Sequence, residues 1–407
     1  MKTLLIISGG LEAVPGIQHA KGMGFKTVVS DGNLDAPGFK YSDYQIVAST
    51  YDIEETLKLA LQFNEQVRPI NGVISVAADV PMTVAKVAEA LKLPGISMQT
   101  AQLSSDKFLM KKHFAEQGIS VPWFAIVESA SHLKKVVSEK DFSLIIKPVD
   151  SRGARGVLKL SDAVDFNWAY DYSRSYSPSR KVMVEEFLSG PQISTESVML
   201  NGKGFTSGFS DRNYEYLERF SPFVVENGGQ MPSALSATER QQVSTLAEKA
   251  ALAMGITNGT AKGDLVLTPE GPKVIEMAAR LSGGWFCTNQ IPYATGVDLM
   301  GAAFKIVLNE PVTEAELIPK FQKAVAVRYF FPEPGILKSV RCQADYLDCE
   351  WLLRSGFFVF PGEEIEPVSD HTKRFGFVIA TGQDASQAID RAQKLIDSYK
   401  IETEACN

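Results

Sequence analysis

Between residues 258 and 284 the sequence NGTAKGDLVLTPEGPKVIEMAARLSGG brings two carboxylates, an arginine and a pair of glycines close together. Two β-rich runs, 264–267 and 273–276, flank Pro269-Glu270-Gly271. Proline presets φ for a type I turn and glycine takes the left-handed position, so a hairpin with a three-residue loop is expected. That loop sets Thr268 opposite Pro272 and, stepping back along both strands, Asp264 opposite Glu276 on one face. Like charges directly opposed destabilise a sheet, so the pair makes sense with a cation between them, and two carboxylates suit Mg²⁺ carrying substrate phosphates. Arg280 adds a permanent positive charge, and Ser282-Gly283-Gly284 lets backbone approach a ligand closely. An ordinary amphipathic hairpin with exposed acids satisfies the same pattern, so other segments must separate the two readings.

A second chemical cluster lies upstream. Leu144-Ile145-Ile146-Lys147-Pro148 reads as a buried strand ending in a lysine, and Ser151-Arg152-Gly153-Ala154-Arg155-Gly156 follows as a basic, glycine-rich loop. Free backbone N–H groups and two arginines suit a phosphate cradle, although a β-hairpin with a basic tip has the same composition. The loop is not of the G-x-x-x-x-G-K-[ST] type, and the strands around it form a hairpin rather than a strand–helix pair. Ser104-Ser105-Asp106-Lys107 opens a helix, with Ser or Asp as cap and Phe108, Phe114 and Ala115 on one face. Residues 181–188 form a strand that ends in Glu185-Glu186 and turns at Ser189-Gly190-Pro191. Such a strand edge can hydrogen-bond a base through its backbone, or the acids can simply be solvated.

These segments need elements to hold them. Residues 1–100 alternate short apolar strands (4–7, 27–30, 46–48, 72–75) with amphipathic helices (54–66, 80–91), the pattern of a doubly wound α/β unit. Its Gly9-Gly10 and Gly16 lack G-x-G-x-x-G spacing, although Asp31 closes the second strand where a ribose-binding acid would sit. Residues 101–331 carry the chemistry, with a smaller lobe at about 115–186, a mixed loop at 211–233, a core helix at 237–254, a further helix at 296–307 and a strand at 324–331. Pro332-Glu333-Pro334-Gly335 marks a boundary, and 332–407 reads as a small α+β cap with a closing helix at 385–399, without legible chemistry.

With 407 residues, 45% hydrophobic and 22% charged, the chain is long enough for two or three well-filled domains. Lys plus Arg number 41 against 48 Asp plus Glu, a net charge of -7 that argues against a nucleic-acid partner. Cys287, Cys342, Cys349 and Cys406 have no C-x-x-C spacing and resemble no disulfide framework, which fits a reducing cytoplasm. The apolar run at the start is too short for a signal peptide, and no stretch is long enough to span a membrane. His19, His113, His132 and His371 are scattered without ligand spacing, which favours surface or core roles over zinc.

The order of these pieces, ending in KVIEMAARLSGG, resembles the ATP-grasp superfamily over essentially the whole chain, most nearly its carboxylate–amine ligases, a group that includes L-amino acid ligases. The resemblance implies a doubly wound N-terminal α/β domain, an ATP-grasp fold of two α+β lobes clasping ATP, and a small C-terminal α+β subdomain. It assigns Lys107 and Lys147 to the nucleotide phosphates, Ser151–Gly156, with Ser151 and Gly153, to the closing loop, and Glu185, Glu186 and Leu188 to the adenine hinge. Asp264 and Glu276 match the metal acids for Mg²⁺, with Mn²⁺ an alternative, and Arg280 the arginine that steadies the transferring phosphate. Gln192 stands where many relatives hold ribose with Glu, and Ala278 where many have Asn beside the metal. Gly283-Gly284 falls where substrate meets backbone, and Glu226, Arg328 and Arg341 are candidate specificity residues or surface ion pairs. The implied reaction turns a small carboxylate and ATP into an acyl phosphate, which an amine converts to an amide, in an enzyme for which a homodimer is one allowed assembly. A biotin-carboxylase-like or purine-pathway enzyme, or a nucleotide-binding regulator without catalysis, are the alternatives; no Ala-Met-Lys-Met biotinyl segment is present.

Overall fold

The computed structural model describes residues 1–342, 346 and 348–405, so Cys406 lies outside the described residues. Near the N-terminus, Tyr44–Val47, Lys26–Asp31, Thr3–Ile7 and Gly72–Ile74 form a parallel sheet in that order. Alternation along the first strand explains the double winding. Leu5 and Ile7 pack with Val28, Ala60 and Phe63, whereas Leu4 and Ile6 pack on the opposite face with Ile17, Val29 and Phe304. Phe304 belongs to the distant helix Leu299–Val307, so later chain covers one face of the first sheet. Asp31 accepts hydrogen bonds from the Gly9 and Asn33 N–H groups and shapes a local turn. It has no place at the cavity described below, and the dinucleotide reading of Gly9-Gly10 lapses with it.

The smaller lobe is an antiparallel sheet ordered Phe124–Val127, Val182–Glu186, Leu144–Pro148 and Leu158–Lys159. Leu144 and Ile146 pack under the helices Ala130–Ser138 and Phe166–Ser175. By the period of two, Ile145 and Lys147 face the other way, into a cavity. The helix Lys107–Glu116 is capped by Asp106, which accepts from Phe108 N and Leu109 N at 2.9 Å each. Its buried face is Met110, Lys111 and Phe114; Ala115, expected on the apolar side, is exposed.

The third layer is an eight-stranded sheet ordered Gly271–Ala278, Gly259–Thr268, Gln192–Leu200, Lys203–Asn213, Gly228–Met231, Ala324–Phe330, Gly376–Gly382 and Leu352–Phe357. Two of these strands reach into the tract expected to be a mixed loop, taking 211–213 and 228–231 and leaving 214–227 as loop. Their Gly and Ser content hides the β pattern, and hydrogen bonding to both neighbours supplies what propensity does not. The sheet also runs across the expected boundary at 331, because Ala324–Phe330 pairs along its whole length with Gly376–Gly382. Trp285 stacks on Phe377 at 4.8 Å and binds the two segments further. After the helix Ala385–Asp397 the chain adds a last strand, Tyr399–Glu404, to a three-stranded sheet with Gly335–Cys342 and Glu364–Ile365.

A chain ending at residue 331 would leave Ala324–Phe330 as a bare apolar edge. The expected outcome is loss of cooperative unfolding and aggregation on expression, checked by circular dichroism melting beside the full chain; a monomeric, cooperatively melting product would make 332–407 a separable appendage.

Candidate functional site

A cavity of about 1030 Å³ opens where the three layers meet, walled by the C-terminal ends of the first sheet, the inner face of the smaller lobe and the large sheet. The hairpin enters it by a route the sequence did not suggest. Thr268 pairs with Gly271, so the loop has two residues, not the expected three, and Leu267 rather than Thr268 stands opposite Pro272. Taken alone, that register would set Asp264 against Ile275 and turn Glu276 to the other face. A bulge at Ile275 absorbs one residue, and Asp264 is paired with Glu276 after all. The two carboxylates line the cavity together.

Asp264 is not an uncompensated charge. Lys262, two residues back on the same face, reaches it at 2.5 Å, Arg212 Nη1 at 2.9 Å, and the Ser194 hydroxyl donates to it at 2.8 Å. Burial alone would raise its pKa, but these cations outweigh burial and hold it well below the usual carboxylate range. Glu276 pairs with Lys107 at 3.3 Å. Among the described residues no group of three or more His, Cys, Asp or Glu is placed to hold a metal ion. The Asp264–Glu276 donor set therefore fits a hard cation whose remaining ligands are phosphate oxygens and water.

At the other end, Lys107 donates to the Ser151 carbonyl at 2.5 Å. Lys147 is buried and donates to Glu185 at 2.5 Å. The other oxygen of Glu185 meets Lys111 at 3.0 Å. Lys111, fully buried, was missed: a lysine on an apolar helix face reads as solvated unless its buried acid is known. Burial pushes its pKa down to about 8 against the pull of Glu185, while Lys111 and Lys147 together hold Glu185 low despite its burial. The Glu185 side chain is thus committed to lysines, and it is the strand edge with Glu186 and Leu188, followed by Gln192, that borders the cavity as a hinge.

Arg280 lies against Asp79, a loop acid of the first domain, at 3.3 Å. Asp79 and Glu276 raise its pKa against the opposing effect of burial. Beside it, Gly284 N donates at 2.7 Å to Glu12, a cavity-lining acid on the short turn Leu11–Ala13. A Cβ at Gly283 would meet the same carboxylate oxygen at 2.6 Å and push it aside. Behind this wall, buried Glu196 accepts from Ser282 N at 2.8 Å and from the Ser282 hydroxyl. Its burial, only partly offset by those bonds, raises its pKa to about 7.

The C-terminal tract, read as free of chemistry, also reaches the cavity. The turn His371–Lys373 and Arg374 lie beside Glu226, with Arg374 donating to the Glu226 carbonyl at 2.7 Å and stacking over Tyr329 at 3.8 Å. The Glu226 carboxylate receives Arg212 at 2.6 Å. His371 was set aside for want of ligand spacing, yet a histidine can enter a site as a hydrogen-bond acceptor with no metal pattern around it. Arg328 does not line the cavity: it is on the face of its strand opposite Val327 and Tyr329, and donates to Asn213 at 2.8 Å. Arg341 is exposed on the three-stranded sheet. The other sequence-selected residues, Ser151, Gly153, Glu226, Gly283 and Gly284 included, border the cavity.

Asp264→Asn takes a buried carboxylate from two cations at once and is expected to destabilise the metal-free protein by about 3–5 kcal/mol, whereas Glu276→Gln alters a more exposed carboxylate with a single lysine partner and should cost at most about 1 kcal/mol. Urea unfolding in EDTA measures both, and equal small effects would show that Asp264 is not the anchor of its network. Glu196 gives a pH signature. Its pKa is raised in the fold, so its stabilising contribution is full below the unfolded value of 4.5 and is lost as pH climbs through about 7. Glu196→Gln should flatten that fall, worth on the order of 2–3 kcal/mol between pH 5 and 7.5; parallel melting-versus-pH curves for both proteins would refute it.

The domain family described as ATP-grasp domain matches residues 104–284, and that described as L-amino acid ligase C-terminal domain 2 matches 328–404. The chain is 25% identical over 284 residues to the D-alanine–D-alanine ligase of Cupriavidus pinatubonensis, covering 67% of this chain and 80% of that protein. Alignments with other curated relatives span 64–69% of their length. The solved L-amino acid ligase from Bacillus licheniformis superposes with a TM-score of 0.81 at 21% identity, covering 99% of each chain. Phosphoribosylglycinamide synthetase from Anaerococcus prevotii superposes at 0.76 and 18% identity, covering 99% of this chain and 100% of that one. Residues 104–284 thus match an ATP-grasp domain in sequence, and the chain as a whole has the fold that these solved enzymes share.

Proposed function

We propose that this protein is an ATP-dependent carboxylate–amine ligase that joins a small carboxylate to an amine through an acyl phosphate, releasing ADP and phosphate. The observation that carries the reading is the meeting, in one cavity, of Lys107 and Lys147, the paired carboxylates Asp264 and Glu276, and Arg280. Phosphoryl transfer asks for positioning and charge neutralisation rather than a protein nucleophile. Lys107 and Lys147 supply fixed positive charge for nucleotide phosphates, with Glu185 and Lys111 holding Lys147 in place. Mg²⁺ held by Asp264 and Glu276 would neutralise phosphate oxygens and polarise the transferring group. Arg280, steadied by Asp79, is placed for the charge that builds on the transferring phosphoryl group and then resides on the acyl phosphate.

The amine must attack before water does. The loop at 151–156 covers the cavity, with Arg152 donating to the Asp79 carbonyl at 2.9 Å and stacking on Tyr51, and this cover is what would exclude water from the acyl phosphate. Glu12 has one carboxylate oxygen engaged by Gly284 N and borders the cavity, which suits it to receive a substrate ammonium. The C-terminal match to L-amino acid ligases covers Tyr329, His371 and Arg374, all of them cavity residues, and favours an amino-acid substrate over the carboxylase and purine-pathway alternatives.

The test is ADP release with Mg²⁺ and ATP across amino acids and small acids, singly and in pairs. The expected outcome is ADP formation that requires a carboxylate, with amide product only when an amine is also present. Release elicited by bicarbonate alone would assign the chain to the carboxylating branch. Nucleotide binding without release under any acid would make it a non-catalytic nucleotide sensor.

A further inference from the structure

The loop at 151–156 belongs to the smaller lobe, yet its backbone is fastened to the C-terminal tract. His371 N donates to the Gly153 carbonyl at 3.0 Å, and a Cβ at Gly153 would lie 3.6 Å from the Thr372 methyl. The His371 turn is itself held by Asp370, which accepts from Thr372 N at 2.8 Å. On its other side the His371 ring meets the loop that leads into the strand Gly228–Met231: Glu226 N donates to Nε2 at 3.3 Å, so that nitrogen acts as acceptor. From Glu226 the path continues through the carboxylate to Arg212 at 2.6 Å and from Arg212 to Asp264 at 2.9 Å. The chain of contacts thus joins the phosphate loop to the metal carboxylate through a residue that need not touch either substrate.

We propose that His371 is a positioning residue that latches the 151–156 loop closed and ties that closure to the Glu226–Arg212–Asp264 network. The consequence for turnover rests on the ligase reading above; the latch itself rests only on the contacts. An imidazole with a free acceptor nitrogen is required, because the ring receives an N–H on the side where Arg374 and Arg212 also stand. Burial, and after it Arg374 and Arg212, push the His371 pKa well below its ordinary value; Lys262 acts in the same sense and Asp264 opposes them. A neutral ring is what this surrounding favours.

The loop carries its own reporter, since Arg152 and Arg155 are sites for trypsin. Full-length protein without nucleotide is digested briefly, cleavage after Arg152 and Arg155 is followed by mass spectrometry, and His371→Leu and His371→Gln are compared with the unaltered chain. His371→Leu is expected to be cut at these two sites severalfold faster, while His371→Gln, whose amide oxygen extends toward the Nε2 position, recovers part of the protection. In ADP release, His371→Leu is expected to need severalfold more Mg²⁺ for half-maximal rate, a shift that a purely local packing role would not produce. Equal cleavage rates in His371→Leu and the unaltered chain overturn the latch, and an unchanged Mg²⁺ requirement overturns its tie to Asp264. If His371→Leu does not melt cooperatively, His371→Ala carries the same comparison. Absence of ADP release from the unaltered chain would sink the ligase reading while leaving the cleavage result to decide the latch.

Discussion

One ionised carboxylate, Asp264, gathers the architecture around it. Its strand supplies Lys262, the neighbouring strand Ser194 and the next one Arg212, so three adjacent strands of the large sheet each spend a side chain on the same group. A buried charge is tolerated only when its partners are in place, and removing any one leaves the others uncompensated. This demand explains why a strand rich in Gly and Ser, Lys203–Asn213, persists in the middle of the sheet. It carries Arg212, and Arg212 carries Glu226 into register with the C-terminal turn.

The same economy organises the joint between the lobes. The smaller lobe packs on Phe223 through Trp168 and Tyr172, but beside the cavity it is joined to the rest by charges and backbone contacts. Lys107 bonds the Ser151 carbonyl and pairs with Glu276, Arg152 crosses to the Asp79 carbonyl, and Gly153 accepts from His371. Polar contacts of this kind are individually weak and reversible, unlike an apolar interface, and a nucleotide site needs a cover that opens each cycle.

Local chemistry in the sequence was enough to single out the hairpin, Lys107, Lys147, residues 151–155 and Arg280, all of which border the cavity, because Gly, Pro and charge at fixed offsets are read over a few residues. Asp264 and Glu276 were paired correctly through an incorrect turn. The Pro269-Glu270-Gly271 signal is compatible with two loop lengths, and the bulge at Ile275 that restores the pairing has no signature of its own. What stayed hidden depends on distant partners. Lys111 becomes intelligible only with Glu185 beside it, Glu12 only with Gly284 folded over it, and His371 and Arg374 only once the large sheet draws the C-terminal tract across the expected boundary. Arg328 was selected by type, and a period of two then decides which face of the strand receives it.

On the ligase reading a protein with net charge -7 must hold a triphosphate, and the pairing of its cavity cations suits that task. Lys107 is set against Glu276, Lys147 and Lys111 against Glu185, Arg280 against Asp79, and Arg212 against Asp264 and Glu226. The cavity's own charges are therefore close to balanced, and its cations are already largely withdrawn from water by their protein partners. Binding a phosphate then exchanges or shares a protein carboxylate instead of stripping a hydration shell, and the cations need little reorganisation as charge moves during transfer. Glu185 marks the limit of that exchange. Held from behind by Lys111, it cannot withdraw, so in the proposed ligase Lys147 would serve the nucleotide while still bonded to its acid, and its reach into the cavity is set by the strand.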